Sequence, residues 1–500
     1  MFDNINIAIN VLLLIPFAAS ICIWLAARGN NRVLLYMLHL VATVATSVVG
    51  IGCVAYVVKG GSFTALNDFL LFDSISGVFV LAISVIGLLV NLYSIKYISW
   101  ALDKGEIAFS DARLFFSLSH VFVFTMLLSV ISNNIILMWV AIEATTLSSV
   151  FIVSLYKNKR AVEGGWKYVI ICSIGLAFAL YGTVLMYSSA YHIIGDAHKA
   201  MLWTSLVEHS KGFDPDLMKI IFVFIVIGYG TKAGLAPMHT WLPDAHAEGP
   251  APASAFLSAV LLKCAMAGII RFYVAMNSIA DVARFMQSVM LIVGLISIII
   301  AGMFIMRQHD IKRTFAYHSV ENIGIIAVAM AFGGATGFFA MFFHILTHSA
   351  TKALAFCTTG NLQEIYGTRD TSGMGGLVRI APLTAVMLGI AMFSLAGMPP
   401  LAMFTSEFYT VVAGIEGKQY IAVAIFLIGL AVVFYGLVHH FNDIVFGKER
   451  GEVVHRGEVS MGANIPLIAM AVIICVIGIA PPESLLELLR NAAAIVVNNR

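Results

Sequence analysis

Charge is scarce in this chain. Asp, Glu, Lys and Arg make up 11% of its 500 residues, where soluble domains carry about 25%. With 60% of residues hydrophobic, a soluble fold is excluded and a polytopic membrane protein is expected. The net charge of +2 is scattered between apolar segments and marks no nucleic-acid surface. Cysteine is sparse too. Cys22, Cys53, Cys172, Cys264, Cys357 and Cys475 all sit in apolar segments with no C-x-x-C pair. That fits small buried hydrophobes and argues against a disulfide framework or iron–sulfur ligation. No basic region precedes the first apolar run in MFDNINIAIN, so a retained first span is expected rather than a cleaved signal. Phosphate-binding glycine loops are missing as well, since GGATG at 333–337 and GMGG at 373–376 sit in connections and need only be turns. With no redox motif, nucleotide site or nucleophile triad, enzyme chemistry is expected to belong to other chains.

What is present is length in apolar runs. Segments of roughly twenty apolar residues give about fourteen spans, near 5–27, 33–58, 74–98, 112–131, 134–155, 165–189, 218–240, 252–274, 285–306, 311–332, 336–361, 380–413, 419–445 and 461–480. An all-α fold follows. The ESLLELLR stretch Glu483–Arg490 is expected to form a short amphipathic turn at the surface. Arg28, Arg32, Lys96, Lys104, Arg113, Lys157, Lys159, Arg160, Lys167, Arg307, Lys312, Arg313, Arg369, Arg379, Lys448, Arg450 and Arg456 follow odd-numbered spans. They outnumber about two to one the basic residues on the other side, which places both termini outside the cytoplasm.

Proline is rare, yet four of the 12 fall in one stretch, Gly228–Cys264, GYGTKAGLAPMHTWLPDAHAEGPAPASAFLSAVLLKC. Pro237, Pro243, Pro250 and Pro252 lack donors, and Gly230, Gly234 and Gly249 add freedom, so no continuous helix fits. Lys232 and Lys263 lie in the flanking apolar segments, where an amine costs roughly 2.5–3.5 kcal/mol. Broken backbone at that depth survives only where protein or water satisfies it. Ala233-Gly234-Leu235-Ala236-Pro237 resembles Ala396-Gly397-Met398-Pro399-Pro400, a register that lays Asp244 on Glu407. Interrupted helices 7 and 12 thus stand in corresponding positions of two five-helix segments, the pattern of a transport site between repeats. The expected divisions are 1–98 (helices 1–3), 99–277 (first repeat, helices 4–8), 278–446 (second repeat, helices 9–13) and 447–500 (helix 14 and a short tail).

Titratable residues inside spans are the functional candidates. Glu143, in LMWVAIEATTLSSVFIV, reads either as a protonated carboxyl bonded to a neighbouring helix or as a titrating partner of Lys232. Burial and a charge partner push such groups in opposite directions, so making or breaking the pair moves a proton. Lys263 is mid-span, away from the ends where a lysine snorkels. His344, His348 and Lys352 follow at i, i+4 and i+8 in MFFHILTHSATKALAF, close to one helix face. They read as a proton wire or as hydrogen-bonded structural histidines; haem ligation, with His439 or His440 as partner, and zinc are the weaker readings. His318 and Glu321 lie one turn apart on span 10 and are placed to link the two halves. His239, Asp244 and His246 are candidate proton-uptake positions or simple loop and capping residues. Glu407 is a candidate proton exit or a helix cap.

GTKAGLAPMHTWLPDAHAEGPAPASAFLS, WVAIEATTL and the span-11 H-x-x-x-H-x-x-x-K resemble the antiporter-like membrane subunits of respiratory complex I, membrane-bound hydrogenases and multisubunit cation/proton antiporters. The resemblance covers nearly the whole chain. The wording is most similar to the component-F class of hydrogenase-4 subunits, with complex I chain M-like subunits and antiporter subunits as alternatives. It implies fourteen helices with two inverted five-helix repeats. It also implies that Glu143 and Lys232 are the family's glutamate–lysine pair, Lys263 the connecting lysine, His344, His348 and Lys352 the second-half relay, and Glu407 its terminal residue. One departure is visible: the family usually has a small hydroxyl residue where His318 stands and a histidine where Asn322 stands. The function implied is proton translocation, without redox chemistry of its own, within an energy-converting oxidoreductase complex of hydrogenase-4/formate hydrogenlyase type in a prokaryotic inner membrane. No cofactor is expected in this chain; nickel–iron and iron–sulfur centres are expected only in partner subunits. Its partners would be other membrane subunits, a peripheral redox arm, the lipid bilayer, and protons or sodium ions.

Overall fold

The computed structural model describes residues 5–26 and 29–498. The MFDN terminus, residue 27 of the first expected span, and Arg28 and Arg500 of the basic count lie outside the described residues. The chain is helical almost throughout. In order come α1 (Ile5–Ala26), α2 (Arg32–Val58), a small antiparallel hairpin of β1 (Phe63–Ala65) and β2 (Leu70–Phe72), α3 (Ser74–Asp103), α4 (Phe109–Ile131), α5 (Ile135–Val153) and α6 (Lys159–Ile194). Then follow α7 (Trp203–Glu208), α8 (Pro215–Ala233), α9 (Trp241–Glu248), α10 (Ala251–Phe256), α11 (Leu262–Met276), α12 (Ala280–Ile305), α13 (Ile311–Phe332) and α14 (Gly334–Tyr366). The chain closes with α15 (Leu377–Ile380), α16 (Pro382–Leu395), α17 (Ala402–Glu416), α18 (Tyr420–Val445), α19 (Met461–Ile479) and α20 (Glu483–Asn498).

Among the described residues, 12 helical segments are long and apolar enough to cross a membrane. The expected count of about fourteen also included α14 and the α16–α17 segment. α14 carries a polar stripe, and the other consists of helices of 14 and 15 residues separated by a break. Short polar side chains start the helices where the chain turns. Asn31, Asp73, Asn134, Asn158, Asp214 and Asp310 each accept a first-turn backbone N–H, which satisfies donors that the helix cannot.

Both expected interruptions are present. α8 stops at Gly234, whose φ of 84° suits glycine and whose N–H bonds back to Gly230 and Thr231 carbonyls. The backbone freed there is satisfied by side chains: Trp241 Nε1 donates to Thr231 O at 2.8 Å, and Ala236 N donates to Ser297 Oγ at 2.9 Å. The second break, between α16 and α17, turns at Gly397 with φ 64°. On the proposed register the paired residues differ in setting: Asp244 is part-exposed and ion-paired, whereas Glu407 is buried without an ionic partner among the described residues.

The core follows from which helices lack a lipid face. α10, α11 and the π-helical turn Leu257–Leu261 between them are buried at every residue. α13 and the middle of α14 are buried all round. In contrast, α1, α2, α6, α12 and α18 turn aliphatic and aromatic side chains outward. The axis of the bundle is therefore α10–α11, α13 and α14, and Lys263, His318, Glu321, His344, His348 and Lys352 lie on it.

Two expectations need correction. The C-terminal stretch is no short surface turn: α20 runs 16 residues and buries Leu488, Leu489, Ala492, Ala493 and Val496 against the bundle, packing on α3 and α14. Its apolar stripe continues past Arg490 into NAAAIVVN, where small residues hide the helical period. Arg271, near the end of the eighth expected span, serves structure. It makes a buried bidentate pair with Asp73 at 2.6 and 2.7 Å, donates to Ser76 Oγ and stacks 4.3 Å over Trp203. Lys312, counted among loop residues, is buried and donates to Gly249 O.

Candidate functional site: a buried polar line along the bundle axis

Lys232 ends α8 just before the break and is fully buried. Its Nζ donates to Thr146 Oγ1 at 2.7 Å and to Tyr168 OH at 2.6 Å, and lies 4.5 Å over the Tyr168 ring. Ser149 Oγ stands 2.7 Å from the same phenol. Two hydroxyls, from α5 and α6, thus solvate the amine, and Ser149 supports the phenol. Glu143 lies one turn before Thr146 on α5. It is half-buried, and its Oε1 accepts from Ser173 Oγ at 2.7 Å. Its Oε2 is buried without a hydrogen-bond partner among the described residues. No ion pair joins Glu143 to Lys232 among the described residues; the hydroxyl set lies beside the amine instead. Glu143 shares its helix face with Val140 and Leu147, both outward-facing, so it sits near the edge of the subunit.

Lys263 is buried on α11, immediately after the π turn. Its Nζ donates to Ser258 O within that turn, an irregularity that often marks functional helices. Ser258 Oγ lies 2.7 Å from Ser319 Oγ on α13, which bridges the two halves. Next to Ser319, His318 Nδ1 is 3.1 Å from Glu321 Oε2, and Asn322 Nδ2 donates to the same oxygen at 2.7 Å. Asn322 reaches α14, where its Oδ1 is 3.0 Å from His344 Nε2; the other ring nitrogen is 2.8 Å from Ser406 Oγ on α17. The His344 and His348 rings stack at 5.9 Å, and His348 has no hydrogen-bond partner on either nitrogen among the described residues. Lys352 Nζ donates to Phe315 O at 2.5 Å. Glu407 is buried, and its carboxylate packs so closely on Gly397 that a Cβ there would collide with it.

The three uptake candidates separate. Asp244 pairs with Lys167 at 2.9 Å and Arg313 at 2.7 Å, in a charged cavity of about 190 Å³ also lined by Arg160, Glu163 and Glu248. His239 is nearly buried beside Tyr317. His246 is fully buried, stacked at 5.0 Å on Phe356 of α14, with both nitrogens lacking partners among the described residues. Only Asp244 therefore meets the surface directly. His440, weighed as a haem partner, has Nε2 3.1 Å from Ile305 O.

A family model described as NADH:quinone oxidoreductase/Mrp antiporter, TM, matches residues 132–432. The chain belongs to this family. The match covers every residue of the buried line, from Glu143 to Glu407. The chain is 38% identical over 386 residues to a hydrogenase-4 component F homolog of Methylacidiphilum infernorum, covering 77% of this chain and 81% of that one. It is 29% identical to hydrogenase-4 component B of Escherichia coli, covering 81% of this chain and 61% of that one. In fold it is similar to a chain of an archaeal respiratory complex, the membrane-bound sulfane sulfur reductase, with TM-score 0.86, 21% identity and 98% of each chain covered. A chain of Thermus thermophilus respiratory complex I superposes with TM-score 0.75 at 22% identity, covering 94% of this chain and 97% of that one. The structural neighbours are thus chains of multisubunit membrane complexes.

For this member of the family, sequence reasoning found the ionisable groups but missed what surrounds them. Thr146, Ser149, Tyr168, Ser173, Ser258, Ser319, Asn322 and Ser406 supply most of the hydrogen bonds. Their one signal was proximity: Thr146 lies a turn from Glu143, Asn322 follows Glu321, and Ser406 precedes Glu407. That signal is weak, because many buried hydroxyls here, such as Thr145 and Thr358, bond back to their own helix.

Proposed function

We propose that the chain is a proton-translocating membrane subunit of an energy-converting oxidoreductase complex of the hydrogenase-4/formate hydrogenlyase type. The observation that carries this is the buried line itself. Among the described residues, Lys232, Lys263, His344, His348, Lys352 and Glu407 are all buried, on α8, α11, α14 and α17, with no ionic partner, and His318 and Glu321 bond to each other and to Asn322. An inert anchor has no use for so many costly groups. Amines and imidazoles bind protons and not sodium, whose preferred donors are oxygens, which supports the proton as the transported ion.

Glu143, at the subunit edge, senses charge in a neighbouring membrane subunit. A change there alters the field at Lys232, which its hydroxyl shell can hold in either protonation state. The proton passes through Lys263 and the Ser258–Ser319 bridge toward α13, then to the α14 groups and Glu407. Asp244, with His239 behind it, gathers protons at the cytoplasmic face. The subunit lies in a prokaryotic inner membrane with both termini outside, as the basic bias implies. Two inverted five-helix repeats, within 99–277 and 278–446, carry the two halves of the path. Nickel–iron and iron–sulfur centres belong to a peripheral arm on partner subunits. A complex I-like or antiporter-like setting is distinguished by what co-purifies: nickel with iron–sulfur clusters for the hydrogenase type, flavin for an NADH enzyme.

The test uses the whole complex in sealed vesicles. Glu143→Gln is expected to assemble and to lose proton pumping. Normal pumping by the assembled variant would overturn the function.

A further inference from the structure

Away from the polar line, a cavity of about 720 Å³ lies among α2, α3, α14, α19 and α20. Its walls are apolar almost throughout, with Val54 and Val58 of α2, Val85 and Ile86 of α3, and Ile473 and Ile477 of α19 among them. Ile51, Val472 and Val476 also line it and are exposed, so it opens sideways, toward the lipid phase of a membrane.

The charged lining is confined to one end. Lys59, which caps α2, stands there with Ser484 and Glu487 of the first turns of α20. Neither Lys59 nor Glu487 has an ion pair or a side-chain hydrogen bond among the described residues. The neighbouring charges of α20 satisfy each other, since Arg490 Nη1 donates to Glu483 Oε1 at 2.7 Å. A free cation and a free anion thus share one rim above an apolar chamber. Depth decides what fits below them. α3 starts at Ser74 on the rim side and contributes Leu81, Ala82, Val85 and Ile86, roughly 10–18 Å along its axis at 1.5 Å per residue. The hydrocarbon layer of a bilayer is about 30 Å thick, so the cavity takes up one leaflet and ends near the midplane. A spanning helix from a partner needs a groove along the full thickness. A lipid needs one leaflet, with an apolar chain inside and a charged head at the surface.

We propose that this cavity is a binding site for one phospholipid whose headgroup carries both a phosphate and a primary ammonium, as in phosphatidylethanolamine. Lys59 and the Ser484 hydroxyl take the phosphate, Glu487 takes the ammonium, and an acyl chain fills the chamber as far as α14. A purely anionic headgroup serves Lys59 but sets a like charge against Glu487. On α14 the chain meets Leu346 and Ala350, each two residues from His348. Two residues turn about 200° around a helix, so the chain lies against the side of α14 opposite His348 and keeps water from that side.

The test uses the intact complex in nanodiscs that contain photoactivatable phosphatidylethanolamine or phosphatidylglycerol, with the reactive group at the end of an acyl chain. The readout is cross-linking to the α14 peptide that holds Leu346 and Ala350, both buried and so reached by lipid only through the cavity. At equal content, the ethanolamine probe is expected to label this peptide about 5-fold more than the glycerol probe, the order that one exposed ion pair supplies. Glu487→Gln should bring the two probes level, and Lys59→Gln should weaken both. Ala55→Trp, at an exposed lining position, fills the cavity and should cut labelling at least about 10-fold, because each methylene denied burial weakens binding about 4-fold. Equal labelling by the two probes in the parent complex, which needs no variant, would overturn the site. So would α14 labelling unchanged by Ala55→Trp, or cross-links showing a partner subunit seated in the cavity.

Discussion

An uncompensated amine at mid-bilayer costs roughly 2.5–3.5 kcal/mol on insertion scales, and this chain buries several. The compensation at Lys232 is made of neutral oxygens, not of a carboxylate. Thr146 and Tyr168 accept hydrogen bonds from the amine, and such neutral partners tolerate its loss of charge better than an anion would. Removing the phenol oxygen by Tyr168→Phe is expected to slow pumping about 10-fold with assembly retained, since a hydrogen bond to a charged group is worth about 1.5–3 kcal/mol. Pumping assays on vesicles with matched complex content check this, and an unchanged rate would show that the shell is dispensable. Arg271 is the contrasting case. Its bidentate bond to Asp73 is structural, and breaking one side of a buried pair costs about 3–5 kcal/mol. Asp73→Asn is expected to lower the thermal midpoint of the purified complex or prevent assembly, while the double change Asp73→Leu with Arg271→Met recovers much of the loss. A single variant as stable as the parent would contradict that account.

Among elements, the interruptions do the positioning. Gly234 lets α8 end beside Lys232, and Gly397 makes room for the Glu407 carboxylate. A Cβ at Gly397 would meet that carboxylate and would also force an L-residue into positive φ, a conformation costing of order 1–3 kcal/mol. Gly397→Ala is therefore expected to displace Glu407 and impair pumping more strongly than it affects complex yield. Equal loss of both would make Gly397 a folding residue only. The π turn acts similarly in the first half by directing Ser258 O at Lys263. The bridge Ser258–Ser319 is the one direct hydroxyl contact between α13 and this turn among the described residues. Ser258→Ala and Ser319→Ala should each slow transfer, and the double variant should be no slower than either single one, because both remove one contact. Additive effects would mean that the two hydroxyls work separately.

Over the whole molecule, the basic bias, apolar runs, helix breaks and costly ionisable residues were legible along the chain, because each is a local property of composition or spacing. Those properties determined an all-α membrane protein and named Lys232, Lys263, His344, His348, Lys352 and Glu143 as groups to explain. They also led to the family to which the matched segment 132–432 belongs. What they did not determine was partnership. Glu143 read either as bonded to a neighbouring helix or as the partner of Lys232, and in the fold the amine is held by hydroxyls from α5 and α6 and the carboxylate by Ser173 of α6. Arg271 gave no sign that its partner stood 198 residues away at Asp73. α20 looked like a surface turn until its stripe of small residues met α3 and α14. The reason is the same in each case. Hydropathy and helical period depend on neighbours in sequence, whereas hydrogen bonds between helices depend on rotation and depth that only packing sets. The chain alone thus chose which groups enter the membrane core; the tertiary structure decided which oxygen each of them meets.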